Sequence, residues 1–333
     1  MTDREHAGER SADDVVGGGR SDRERTPRSR PRRVADGGSS DAAATGESGA
    51  IVEQLSADTA FELLSNDTRL STLRALFDAD EPLSFSELNG AVGTSDSGQF
   101  NYHLDRLRGV FIRKTDEGYE LTAEGLDVVG SLLAGPLTKT VEAEPVPVDA
   151  DCPYCDGSLA GLFDDDHVRV ACRDCDRNVI SLAVPPGTFE HYPREEWPRV
   201  AEQWTRQEFE TAHRGFCPVC HGPVESRIET DSEGIYDVFE AGVSYACQRC
   251  GETRHANVSA CLLWYPVVVA FYHERGIDVE RTPVWEFEWA VRPTAEVRSE
   301  DPLRVAVPVE HDEDRLVIVV DEAAAVVDHR LNP

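Results

Sequence analysis

Residues 84–121 read SFSELNGAVGTSDSGQFNYHLDRLRGVFIRKTDEGYEL. Ser84 and Glu87 stand at capping-box spacing, where a hydroxyl and a carboxylate satisfy the orphan N–H groups of a helix start. Gly93 breaks that helix. Asp96 to Gln99 offers a second capping pattern, for a helix reaching about Arg108. Phe100, Leu104 and Leu107 fall at i, i+4 and i+7 in it and face inward. Val110–Lys114 and Tyr119–Leu121 read as two strands joined at Asp116-Glu117-Gly118. Thr122 then caps a helix to about Leu133. Upstream, one helix is expected over Ala57–Leu64. A second starts near Asp67, with Leu70, Leu73, Leu76 and Phe77 on one face.

Helix, helix, helix-turn-helix, hairpin, helix is the order of a winged helix-turn-helix, so the sequence predicts such a domain over 56–135. Another small α+β domain can show the same elements. The short glycine turn between capped helices, followed at once by a hairpin, favours the winged form.

The rest of the chain is organised by cysteine. Eight of nine cysteines form CxxC pairs: Cys152/Cys155, Cys172/Cys175, Cys217/Cys220 and Cys247/Cys250. They group into two units, each opening on Cys-Pro-x-Cys. Each closes on a CxxC after an expected strand, His167–Ala171 in the first and Gly242–Ala246 in the second. Two thiolates two residues apart can turn inward onto one metal, and two such knuckles complete a tetrahedral four-sulfur site that suits Zn²⁺. Two structural zinc ions are therefore expected, with no ligand position left for water. Buried or thioredoxin-like cysteines are the bland alternative, and an iron–sulfur cluster also uses four thiolates. Cys261 heads an apolar run and reads as core. His221 and His255 lie beside knuckles as surplus ligands.

The overall class expected is α+β: a disordered tail over 1–50, the winged domain, a proline-marked linker over 136–148, and a double zinc-ribbon region over 149–333. Residues 1–50 hold 9 Arg and 10 acidic residues and little that could form a core. Their cluster Arg25, Arg28, Arg30, Arg32 and Arg33 reads as an arm for a DNA minor groove, as a solvated tail, or as an over-extended translation start. Within the ribbon region, helices are expected over Arg194–His213 and Cys261–Arg275, and a Trp-rich strand over Val284–Trp289. A terminal hairpin pairs Leu303–Val309 with Arg315–Val320 around the acidic turn at 311–314.

The net charge is −30, from 63 acidic against 33 basic residues, and only Lys114 and Lys139 are lysines. Such a surface suits a cytoplasm full of salt, where the Debye length falls to about 3 Å at 1 M; an acidic mesophilic protein or a disordered acidic chain is the bland alternative. Five Trp, twelve Phe and 40% hydrophobic residues argue against overall disorder. No stretch reaches the ~20 apolar residues of a membrane span, and the N-terminus has no signal-peptide h-region. A reducing cytoplasmic location is expected, where paired cysteines more often mean metal than disulfide.

Over 56–135 the balance is 6 basic against 14 acidic residues, which looks wrong for DNA. Yet 97–114 hold Arg106, Arg108, Arg113 and Lys114 against Asp105 alone. With Phe100, Leu104 and Leu107 inward, Ser97, Gln99, Tyr102, His103 and Arg106 are left to face double-stranded DNA. Gln can pair with adenine and Arg with guanine, while Arg113 and Lys114 on the hairpin would meet phosphate. Each has a bland reading as exposed surface. Over 136–333 the count is 18 basic against 38 acidic, so the ribbons read as a protein-interaction or effector region.

The segments SFSEL (84–88), SGQFNYHLDRL (97–107) and KTDEGYELTAEG (114–125) resemble haloarchaeal winged-helix regulators of the ArsR-like class, over about eighty residues. CPVC (217–220) and VVAFYHERG (268–276) look like the C-terminal part of a subgroup of those proteins. The resemblance implies sequence-specific DNA binding, usually as a homodimer. The Cys-x-Cys metal pair that such sensors often carry on a DNA-domain helix is absent, because no cysteine precedes Cys152. Two function classes follow: a DNA-binding transcriptional regulator, or a zinc-ribbon scaffold that contacts the transcription machinery. An enzyme ranks last, since no nucleophile motif, phosphate loop or open metal position is visible.

Overall fold

The computed structural model describes residues 55–164, 167–230, 241–292 and 294–332. The expected tail and its arginine cluster lie outside the described residues. Five helices and a hairpin come first: α1 (Ala57–Leu64), α2 (Asp67–Phe77), α3 (Phe85–Val92), α4 (Ser97–Leu107), β1 (Ile112–Lys114), β2 (Tyr119–Leu121) and α5 (Ala123–Ala134). Each helix starts on a side-chain cap: Ser56, Asn66, Ser84, Asp96 and Thr122. Ser84 and Glu87 close the full capping box. Gly93 ends α3 at φ 76°, a left-handed conformation that glycine adopts without a Cβ penalty.

These elements close over Leu73, Leu88, Phe100, Leu104, Leu107 and Ile112. Leu83, between α2 and α3, bridges to Tyr119 and adds a third short strand contact to the hairpin. Two expectations for α2 are corrected. Phe77 is exposed and Leu70 only half-buried, while Arg69 and Thr72 are buried beside Leu73 and Leu76. The Arg69 guanidinium turns inward and donates to the Glu62 carbonyl at 2.6 Å, a C-terminal carbonyl of α1 that Ser65 also caps.

Four strands then form an antiparallel sheet in chain order: β3 (Ala143–Asp151), β4 (Ser158–Asp164), β5 (His167–Cys172) and β6 (Asn178–Leu182). The expected linker over 136–148 is thus strand from Ala143 onward. Pro145 and Pro147 disguised it. They fit because β3 is an edge strand, where a missing N–H costs no ladder bond. Helix α6 (Trp197–His213) follows, as expected, and leads to a second sheet of β7 (Val224–Glu229), β8 (Gly242–Cys247) and β9 (Thr253–Asn257).

The predicted helix over 261–275 is split. A 3₁₀ turn covers Ala260–Leu262 and α7 runs Pro266–His273. Pro266 cannot donate an N–H and holds Tyr265 extended at ψ 135°. The predicted strand over 284–289 is also absent. A 3₁₀ turn (Val284–Glu286) and α8 (Glu288–Val291) stand there, and the Val284 N–H bonds Glu202 Oε1 at 3.1 Å instead of a neighbouring strand. The terminal hairpin forms and gains a strand on each side. The result is a meander of β10 (Glu296–Glu300), β11 (Leu303–His311), β12 (Asp314–Val320) and β13 (Val326–Asn332). One apolar core joins both ribbons to this meander through Val170, Tyr245, Trp289, Val307 and Ile318.

Candidate metal centres and nucleic-acid face

The eight paired cysteines come together as two separate sets, Cys152, Cys155, Cys172, Cys175 and Cys217, Cys220, Cys247, Cys250, each with sulfurs within 4.8 Å of one another. In the first set Cys152–Cys175 and Cys155–Cys172 stand 3.8 and 3.6 Å apart. In the second, Cys217–Cys250 and Cys220–Cys247 stand 3.7 and 3.5 Å apart. A tetrahedral ion with metal–sulfur bonds of about 2.3 Å needs sulfurs about 3.8 Å apart. A disulfide needs about 2.05 Å, and all nine cysteines are free thiols. The residues fit one tetrahedral metal ion per set.

The knuckles explain how the backbone presents the thiols. The first cysteine of each knuckle is buried: Cys152 directly after β3, Cys172 and Cys247 at the ends of β5 and β8, and Cys217 after the isolated bridge of Phe216 to Pro223. Its sulfur accepts N–H groups from the turn, at 3.3–3.5 Å from Tyr154, Asp174, Cys175, Val219, Arg249 and Cys250. The residue after each second cysteine is left-handed: Asp156 and Asp176 at φ 57°, His221 at 56° and Gly251 at 75°. His221 is therefore a turn residue, and its position comes from the knuckle, not from a ligand role. His255 lies in β9, 3.9 Å from Glu229.

Charge is shared unevenly among the thiols. Burial would raise Cys172, but the N–H groups of Cys175 and Asp174 and its partner thiols bring it down to about 7. The Cys250 N–H is the largest cause that brings Cys247 down to about 6. Each set thus holds one thiol drawn toward the thiolate, the form a metal binds. Cys261 is fully buried and pushed up to about 12, which makes it inert core as expected.

The second predicted surface is partly assembled. Ser97, Gln99, Tyr102 and Arg106 are exposed on α4, and Arg113 and Lys114 on β1. His103 is not with them. Its side chain is buried, and desolvation with the nearby Arg69 charge holds its imidazole below the ordinary value. One helical position after Tyr102, it faces toward α2. Arg106 is held by Glu62 of α1 at 3.0 Å, and Arg113 by Glu120 across the hairpin at 2.7 Å. Lys114 lies over the Tyr119 ring. Asn101, which the sequence reading passed over, is exposed on the same face and donates to Asp105 at 3.1 Å. Its polar side chain one position before Tyr102 was the available signal.

Fold and sites together define a double tetrathiolate ribbon protein with a helical N-terminal unit. Residues 149–326 match the family described as a domain of unknown function, DUF7351, and the chain belongs to that family. Residues 57–132 match a second one, DUF7347. No curated protein and no solved structure matches the chain. Among the described residues, no helix is long and apolar enough to cross a membrane.

Proposed function

We propose that the chain is a sequence-specific DNA-binding transcriptional regulator, with α1–α5 and the β1–β2 hairpin acting as a winged helix-turn-helix. The observation that carries the reading is the capped α3–turn–α4 unit followed by a hairpin, with arginine and lysine concentrated on its outer face. Helix α4 enters the major groove. Gln99 reads adenine and Arg106, released from Glu62, reads guanine. Arg113 and Lys114 hold phosphate. Asn101 joins this face, and His103 leaves it.

The regulator works as a homodimer. Phe61 on α1 and Leu126 and Leu133 on α5 are 70%, 51% and 46% exposed, an unusual apolar surface for two flanking helices. Leu126 and Leu133 lie seven residues apart on one face, with open space above Gly130 between them. Pairing across a two-fold covers them and sets two α4 helices about one DNA turn apart, so the operator is an inverted repeat. Each ribbon closes on one structural Zn²⁺, and the acidic ribbon region serves protein partners or an effector. That acidity also supports a second reading, a scaffold on the transcription machinery.

Gel-shift titrations at one fixed salt concentration test the proposal. Arg106→Ala is expected to weaken operator binding by roughly 1–3 kcal/mol and relax preference at one base. The pair Arg113→Ala/Lys114→Ala weakens operator and scrambled DNA alike. No change from either variant on either DNA removes the recognition surface and favours the scaffold.

A further inference from the structure

A cavity of about 330 Å³ lies between the two ribbons. Its walls come from corresponding strands. Strand β6 follows the second knuckle of the first ribbon and contributes Val179 and Ile180, and β9 follows the second knuckle of the second ribbon and contributes Ala256. Helix α6 supplies Phe209 and Glu202 from a third side. Protein interiors pack closely, with few voids larger than a water molecule. An opening of this size falls in the range of small-molecule sites. Each wall strand begins three residues after a tetrathiolate knuckle, β6 after Cys175 and β9 after Cys250.

The lining is mostly apolar, with one polar atom left unspent. Trp264 lines the cavity, but its indole N–H is sealed from the open space. Glu202 is 3% exposed and accepts from Arg206 Nε, Arg206 Nη2 and the Val284 N–H, all on Oε1. None of these bonds uses Oε2. The Arg206 charge is already matched by Glu202 and by the carbonyls of Val279 and Thr282. A charged ligand would enter without a counter-charge, which an apolar site disfavours.

We infer that this cavity binds a neutral, mainly apolar small molecule carrying a hydroxyl group, which donates to Glu202 Oε2. The site gives the effector role proposed above a location, and it rests on that reading only for its regulatory meaning. The probe is 4-ethylphenol, with ethylbenzene as its hydroxyl-free counterpart. Both are titrated by calorimetry and saturation-transfer NMR into the full chain carrying both metals. The phenol is expected to bind one per chain, about tenfold tighter than ethylbenzene. The methyl ether 4-ethylanisole, which cannot donate, binds no tighter than ethylbenzene, and Ala256→Leu abolishes binding of the phenol and ethylbenzene while two metals remain bound. If Ala256→Leu loses metal, the comparison of phenol with anisole decides alone. No saturable binding by wild type, equal affinity for the phenol and either hydroxyl-free probe, or unchanged binding by a metal-loaded Ala256→Leu overturns the inference. The readout does not involve DNA: a chain that binds the phenol but no operator keeps this site and loses the regulator, and the reverse result does the opposite.

Discussion

Between α1 and α5 there is no cysteine, and the helices close over Leu73, Leu88, Phe100 and Leu104, each fully buried. Between β3 and β9 the buried residues include Cys152, Cys172, Cys217 and Cys247, and the first two belong to the same core as Tyr245 and Trp289. The first region needs nothing but apolar burial. Amphipathic helices with capped ends bring enough of it together. The second builds its turns from conformations that L-residues avoid, with Asp156, Asp176 and His221 all left-handed. Those turns place sulfurs 3.5–3.8 Å apart with no bond between them. A metal ion on each set would offset both costs. A region built on apolar burial therefore stands beside one whose thiol sets fit an ion.

Removing that ion should give the largest effect. A chelator at mildly acidic pH is expected to strip two ions per chain, each worth on the order of 10–16 kcal/mol in comparable sites. Amide exchange should then speed up across β3–β9 and leave α2–α4 protected. The pH direction follows from the thiols. Cys172 and Cys247 are lowered to about 7 and about 6, so their contribution is present above the free-thiol value and lost as pH falls through 7 to 6. Cys217→Ser should lose one ion and Cys261→Ser none. Elemental analysis checks both and separates zinc from a single iron, which fits the same tetrahedron. Loss of protection in α2–α4 along with the ribbons would break the comparison.

The converse test is smaller. Leu104→Ala leaves a cavity under α4 and should cost about 2–5 kcal/mol. Denaturant unfolding should show the loss in the helical unit, with metal content unchanged at two ions. A drop in metal content would mean that the two regions fold as one.

What the sequence revealed divides along the same line. The capping box at Ser84 and the CxxC pairs were legible because each is a local pattern with a local cause. The failures were tertiary. Val284–Trp289 looks like a strand until Glu202, far off in sequence, takes the Val284 N–H. His103 is a different case: at i+3 from Phe100 it shares the stripe of Leu104 and Leu107, so the periodicity already pointed it inward and its polarity hid the signal. Pro145 and Pro147 look like a linker until the sheet order makes β3 an edge. The cavity between β6 and β9 had no signal at all, since it depends on how two repeats face each other. Leu70 and Phe77 show the limit of periodicity, because the buried Arg69 took part of the face that they were assigned.

The smallest effect concerns His213, at the end of α6 where the two routes to stability meet. Its ring packs against Trp264 and Tyr265, with centroids 5.8 and 5.7 Å away, and its Nδ1 lies 3.4 Å from the Tyr245 hydroxyl. A helix C-terminus favours a cation, and Glu210 pulls the same way. Burial outweighs both, and with Arg214 it holds the imidazole below its ordinary value of 6.5. In the unfolded chain the same side chain titrates near 6.5. Above that pH both states are neutral and nothing is lost. As pH falls through 6.5 toward the lowered folded value, the unfolded state takes the proton first, and stability declines. His213→Phe keeps a ring among the aromatic neighbours and removes the titration. The fall in melting temperature between pH 7.5 and pH 6 should therefore be smaller in this variant than in wild type. Metal content must be measured at both pH values, because thiolate protonation moves stability in the same direction. If the two proteins lose the same amount at equal metal content, His213 is not neutral by burial and does not contribute to the pH dependence of this region.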